Sequence, residues 1–431
     1  LANPSRGAAL LAIVTPLVLF HVDYQPGFSI GVGSADVDVF LSDILLGVLA
    51  VAVAVQLARD RAGALRAGLP IWIVAAAFLG WIAIGTLRPL LSDRSYSLAL
   101  HAVTAAKFAE YAVLAVAVPI LARRRSEVEL LLGAIVGWAA LAALVGIIQF
   151  AGVDVFSAWD AGRRQPSFLS HHDFATLAGS SFAIGLAALV FEKHKRLGVA
   201  ACVTGAVGLT VSGSIAGVLG LVGVLGATAL VVFKRRNGAR TLAFAGAGAA
   251  VVALLVVALR GNDLDDFLRF TGILSGKQEQ QRVETYSHRT LLAYLGLRIW
   301  SDHPIVGAGW QASGDYDLVK RYLPDAHKRF PDVPDQAFPT PERRYGVQNA
   351  YVQALADLGA IGLLLFTSLL AAGVWIAERR ALRMQAWTSL AAAGIILVTA
   401  AIWTAQGLLA GLAVDSLMWV GLGIAASEAT T

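Results

Sequence analysis

Apolar runs long enough to cross a bilayer dominate this chain and leave room for few other architectures. Crossing ~30 Å of hydrocarbon takes about 17–25 mostly apolar helical residues. Twelve such runs are read at 7–22, 39–58, 70–87, 98–121, 127–151, 173–191, 197–212, 214–233, 241–259, 349–376, 386–405 and 408–426. The first has no small-x-small cleavage site and further runs follow it, so it reads as a helix and not as a signal peptide. Of the 431 residues, 57% are hydrophobic and only 15% charged, well below the charge of a soluble domain. The expected fold class is an all-α polytopic membrane protein with about twelve transmembrane helices. Residues 1–259 hold helices one to nine, 260–348 form a large external loop, and 349–431 hold helices ten to twelve.

Lysine and arginine set the orientation. One set of short loops carries Arg6; Arg59, Arg61 and Arg66; Arg123, Arg124 and Arg125; Lys193, Lys195 and Arg196; Lys234, Arg235, Arg236 and Arg240; and Arg379, Arg380 and Arg383. The opposite short loops carry only Arg88, Arg94, Arg163 and Arg164. The alternation places both termini in the cytoplasm and residues 260–348 outside. The formal net charge of +5 is therefore mostly topology. The external loop holds twelve basic and twelve acidic residues, and with no basic stripe a nucleic-acid partner is not expected. The single cysteine, Cys202, excludes an internal disulfide, and the scattered histidines lack zinc spacing. Gly217, Gly220, Gly223 and Gly226 recur every three residues, a pattern for close helix packing.

A ninety-residue loop is too long for a simple connector. "YSHRTLLAYLGLRIW" reads as a helix capped by Ser287, with Leu291, Leu292, Leu295 and Ile299 at helical spacing. His303-Pro304 ends it, and Gly307 and Gly309 form a turn. Prolines at 324, 331, 334, 339 and 341 favour an extended flap beyond it.

Several polar groups gather where external loops meet the membrane. Arg163, Arg164, His171 and His172 lie on the side where positive charge is rare. Binding an anion such as a lipid-linked phosphate would explain them; so would local partners Asp160 and Asp173. Arg289, with Arg298 behind it, could fork onto a diphosphate or simply face water. Arg343, Arg344, Gln348 and Asn349 stand at the mouth of the tenth helix, as a polar site for sugar and phosphate or as a helix cap. Lys107 and Glu110, at i and i+3, are expected to pair within the fourth helix, and Asp415 in the twelfth is an open question. Asp315 and Asp317 form an Asp-x-Asp pattern too common by itself to signal a metal.

Three segments in order are similar to one known family. "QNAYVQALADLGAIG" resembles the hallmark of the O-antigen ligase and O-antigen polymerase superfamily, which reads His, Asn/Ser/Gln, nine residues, Gly, two residues, Gly. Here Asn349 is followed by nine residues, then Gly359 and Gly362. "SDHPIVGAGW" resembles the family's Asp-His-Pro-aliphatic-aliphatic-Gly-x-Gly segment, and "RRQPSFLSHHDFATL" its shorter external loop. The likeness covers roughly residues 130–425. It implies a GT-C-type, inverting, metal-independent glycosyltransferase without cofactor. It would act on an undecaprenyl-diphosphate-linked glycan at the outer face of the bacterial plasma membrane, with a glycan or lipid acceptor and membrane lipids as its other partners. The diphosphate-holding arginines map to Arg164 (or Arg163) and Arg289, with His172, Arg343 and Arg344 as further substrate contacts and Gln348, Asn349 and Arg289 as the catalytic set. One departure stands out: the family histidine is Gln348 here, and an amide takes up no proton near neutral pH. Substitute bases are His288, Glu284, Glu342 and Asp357. A transporter or flippase, or a non-catalytic assembly partner, is the alternative. Against a transporter, residues 1–215 and 216–431 show no internal repeat.

Overall fold

The computed structural model describes residues 5–32, 35–59, 62–91, 98–235, 238–261, 265, 286–331, 333–408 and 413–427. Glu284 and Arg94 lie outside them. Helix α1 (Arg6–Val18) leads through a short turn into a two-stranded antiparallel ribbon, β1 (Gly27–Val32) and β2 (Ala35–Phe40). Then come α2 (Leu41–Ala58), α3 (Leu69–Leu87), α4 (Leu98–Glu110), α5 (Ala112–Leu121), α6 (Arg125–Phe150), α7 (His171–Val190), α8 (Lys195–Ser212), α9 (Ile215–Arg235) and α10 (Ala239–Leu259). The large loop contributes α11 (Tyr286–Asp302), α12 (Tyr316–Val319) and α13 (Leu323–Arg329), and the chain closes with α14 (Ala350–Met384), α15 (Trp387–Ile402) and α16 (Ala413–Ala426).

Among the described residues, eight helical segments are long and apolar enough to cross a membrane. The other four apolar runs are also helical, as α1, α8, α15 and α16, but shorter or less apolar. The α7, α15 and α16 helices are wrapped by their neighbours on nearly every side, so they contribute core rather than lipid-facing surface. The glycine repeat of α9 packs as its spacing suggests at two positions. A Cβ on Gly217 would meet Leu209 at 2.6 Å, and one on Gly220 the Val398 backbone at 3.1 Å, whereas Gly226 faces open space.

Three expectations change. Ser287 lies inside α11, which begins at Tyr286, and so does not cap it. The proline-rich segment is no extended flap. It folds into α12, α13 and short turns that close an apolar cluster of their own, in which Leu291, Leu292, Leu295 and Ile299 of α11 meet Tyr322, Ala326, Phe338 and Ala356. Lys107 does not turn to Glu110: its ammonium bonds Asp43 of α2 at 2.7 Å, and the same carboxylate caps α2 at the Phe40 N–H. An i, i+3 pair within one helix lost to a partner on the next.

The family-like glycines make a joint. Helix α14 breaks at Gly359 (φ 71°, ψ −170°), and residues 304–309 insert into the break. Ala308 N–H donates to Ala356 C=O and Gly309 N–H to Asp357 C=O, each at 2.9 Å. In return Ala360 N–H donates to Pro304 C=O at 2.9 Å and Ile361 N–H to Ile305 C=O at 3.3 Å. Backbone meets backbone here, and a Cβ on Gly359 would stand 2.3 Å from the Ile305 oxygen. The joint locks the loop to the bundle. Arg88 of the neighbouring turn donates to Gly307 C=O at 2.8 Å, and Trp81 of α3 to Leu358 C=O at 2.9 Å.

Candidate functional site

The joint sets α11 over the start of α14, and a cavity of about 330 Å³ opens beside it. Its polar lining includes His172, Arg260, Arg289, Gln348 and Asn349, and its apolar lining Ile215, Ala216, Leu219 and Ala293. The α7, α9 and α11 helices, the end of α10 and the start of α14 all contribute. The cavity thus sits where the loop layer meets the helical bundle.

Arg289 organises the polar lining. Its Nε donates to Gln348 Oε1 at 3.0 Å, and one terminal nitrogen lies 3.0 Å from His172 Nε2. A guanidinium only donates, so His172 Nε2 is the acceptor and the ring proton sits on Nδ1. Gln348 has its carbonyl oxygen engaged and is left with its NH2 group. Asn349 is consumed by structure. Its Oδ1 accepts from the N–H groups of Tyr351 and Val352 at 3.1 and 3.0 Å, capping α14, and its amide donates to Thr404 C=O at 2.9 Å. Arg289 thus ties His172 and Gln348 together at the cavity.

Arg260, at the end of α10, escaped sequence reasoning. It is 6% exposed, lines the cavity, and donates to Gly213 C=O at 3.3 Å. The available signal was an arginine directly at the end of an apolar run, which reading it as part of the long loop hid. Arg164 stands behind the wall with its guanidinium 4.7 Å from the Trp159 ring centroid. Trp159, His171 and His172 continue as a ring series with centroid separations of 5.3 and 3.9 Å. Arg164, Arg260 and Arg289 all lie close enough to His172 to act on it electrostatically.

The remaining sequence candidates are elsewhere. Arg163 is not in the cavity wall; it pairs with Asp160 at 2.9 Å on the surface. Arg343 and Arg344 are exposed, with Arg343 bonded to Gln336 C=O at 3.0 Å. Arg298 bridges to Asp325 of α13 at 3.0 Å. Among the substitute bases, Glu342 is exposed. Asp357 is buried on α14, where it accepts from Ser313 N–H at 2.8 Å and Gln353 at 3.1 Å. His288 is buried in the loop layer against Tyr345, and burial, with Arg289 beside it, lowers its imidazole to about 4. None of the three lines the cavity. Asp315 is taken by His101 at 3.0 Å and Asp317 by Lys320. Among the described residues no three His, Cys, Asp or Glu side chains cluster as metal ligands.

Residues 200–367 match the family described as O-antigen ligase. That match, over the stretch it covers, supports the O-antigen ligase and polymerase superfamily. The matched stretch runs from α8 into α14, so it carries Arg260, Arg289, Gln348, Asn349 and the Gly359 joint. His172, Thr404 and Ala405 reach the same cavity from outside it. The family points to glycan transfer at a membrane, with lipid-linked glycans as the substrate class. No curated protein matches the chain.

Proposed function

We propose that this protein transfers or polymerises a glycan from an undecaprenyl-diphosphate donor at the outer face of the bacterial plasma membrane. The observation that carries this reading is the cavity wall. It brings the side chains of His172, Arg260, Arg289 and Gln348 together with apolar Ile215, Ala216, Leu219 and Ala293. Guanidinium and amide groups beside apolar surface suit a diphosphate attached to a lipid. In this reading both termini are cytoplasmic, all twelve apolar helices form a GT-C-type membrane body, and the loop 260–348 covers the site from outside.

The chemistry follows from the donors. The acceptor hydroxyl attacks the anomeric carbon on the face opposite the diphosphate, with inversion. The carbon–oxygen bond breaks with its electron pair going to the diphosphate, and the hydroxyl proton passes to solvent. Arg289 and Arg260 stabilise the charge growing on the leaving group, the Gln348 amide orients it, and His172 holds Arg289 in place. With glutamine in place of the family histidine, leaving-group stabilisation takes most of the load and no metal is required.

The test is turnover by the purified protein in lipid nanodiscs, given an undecaprenyl-diphosphate oligosaccharide with EDTA present. Release of undecaprenyl diphosphate, abolished by Arg289→Ala, supports the reading. A glycan ladder then identifies a polymerase, and one new product a ligase. Donor binding without turnover on any acceptor refutes it in favour of a transporter or assembly partner.

A further inference from the structure

Residues directly opposite each other on an antiparallel ribbon share a face. In β1–β2, Phe28 stands opposite Val39 and Ile30 opposite Val37, so these four side chains make one apolar face. Ser29 and Asp38 pair on the other face, joined by a 2.6 Å hydrogen bond. Phe40 lies in that second register too, beneath the Lys107 ammonium at 5.3 Å from its ring centroid. Of the second register Phe40, at the base, meets the bundle, Ser29 and Asp38 are exposed, and on the apolar face Phe28 is 55% and Ile30 46% exposed.

Two neighbours continue that surface. The ribbon runs without a break into α2, where Ile44, Val48, Val51 and Val55 form an exposed apolar stripe at helical spacing along a candidate membrane span. The loop after α6 adds exposed Val153 and Phe156. Phe156 adopts φ 54°, a conformation costly for an aromatic residue, with its ring 4.9 Å from that of Tyr24. Tyr24 bonds Ser157 at 2.6 Å, and Gln25 accepts from the Ser42 N–H at 2.8 Å. Ribbon, loop and the first turn of α2 are thus one rim. The rim stands at the cavity end of the bundle, because the loop it joins leads into α7, whose second residue is His172.

We propose that the β1–β2 ribbon lies in the lipid–water interface at the cavity end, with Phe28, Ile30, Val37 and Val39 in the hydrocarbon edge and Ser29 and Asp38 turned to water. The occupant of the apolar face is acyl chain, because the face is continuous with the lipid-facing stripe of α2. The interface also suits the backbone: the outer edges of a two-stranded ribbon have unpaired N–H and C=O groups, which need water that the bilayer core does not supply. Exposed apolar and aromatic side chains at that depth act as an interfacial anchor.

The single native cysteine makes this directly measurable. In a Cys202→Ala background, a nitroxide is placed in turn at positions 28, 29, 30, 38 and 39 of the full chain in nanodiscs. The ratio of oxygen to nickel-chelate accessibility should alternate with the strand period, roughly threefold or more higher at 28, 30 and 39 than at 29 and 38. Nickel access at all five positions puts the ribbon in water and overturns the proposal. Low access to both reagents at 28 and 30 means that protein covers the face, and overturns it equally. As a second arm, Phe28→Asp with Ile30→Asp should raise nickel access at position 39 and leave a label at Val51 unchanged. Unaltered access at position 39 counts against the proposal.

Discussion

Gly359→Ala tests the joint on which the site geometry depends. The glycine backbone sits in a region of positive φ with extended ψ that other residues occupy only under strain of about 1–3 kcal/mol. The new Cβ would also stand 2.3 Å from Ile305 oxygen and 2.5 Å from Val306 nitrogen. Ordinary contact is ~3.5 Å or more, so residues 304–309 must retreat by about 1 Å. That retreat carries the four hydrogen bonds of 2.9, 2.9, 2.9 and 3.3 Å beyond bonding range. At about 0.5–1.5 kcal/mol each, their partial loss plus the backbone strain amounts to about 3–6 kcal/mol. Hydrogen exchange read on peptides covering 300–312 and 350–362 should then speed up by about two orders of magnitude or more. Gly346→Ala, where a Cβ meets nothing within 4 Å, is the control. Wild-type exchange in both peptides of Gly359→Ala would refute the inserted joint.

The two arginine environments predict opposite outcomes in the turnover assay. Arg163→Ala removes an exposed pair worth about 0–1 kcal/mol and should leave kcat/KM within about twofold. Arg260→Ala removes a charge-assisted donor worth about 1.5–3 kcal/mol and should lower kcat/KM roughly 10–150-fold. Lys107→Met strands Asp43 in the bundle and should destabilise it by about 3–5 kcal/mol, with Asp43→Asn in the same chain recovering much of the loss in thermal unfolding. His288 supplies a pH dependence. Its folded value of about 4 lies below the unfolded value of about 6.5, so its contribution is complete above about 6.5 and is lost as pH falls toward 4. Exchange of α11 should rise across that window, and His288→Leu should flatten the rise.

Helices were legible in the sequence because the bilayer imposes a rule on every residue of a span. Each run must be apolar over a fixed length whatever it packs against, so twelve runs could be read and all twelve are helical. The alternation of basic loops was visible for the same reason, since it depends only on counts along the chain. Arg289, Gln348 and His172 could be singled out as polar groups at membrane mouths, yet nothing in their spacing said that one guanidinium bridges the other two. Arg289 and His172 are 117 positions apart in the chain, and only the packing of α7 against the loop layer brings them together. Arg163 and Arg164 show the limit sharply. Adjacent and chemically identical, they part when the loop folds: one turns to Asp160 at the surface and the other stacks on Trp159 behind the cavity. The glycine motifs were readable as motifs, but their purpose was not, because two backbone segments that far apart in the chain, 304–309 and 356–361, can be seen to share hydrogen bonds only when both are placed. Length, apolarity and sidedness are local sums that a sequence carries by itself. Which donor faces the cavity, which amide is spent on a cap and which carboxylate is buried are decided by contacts between distant segments, and these exist only in the folded chain.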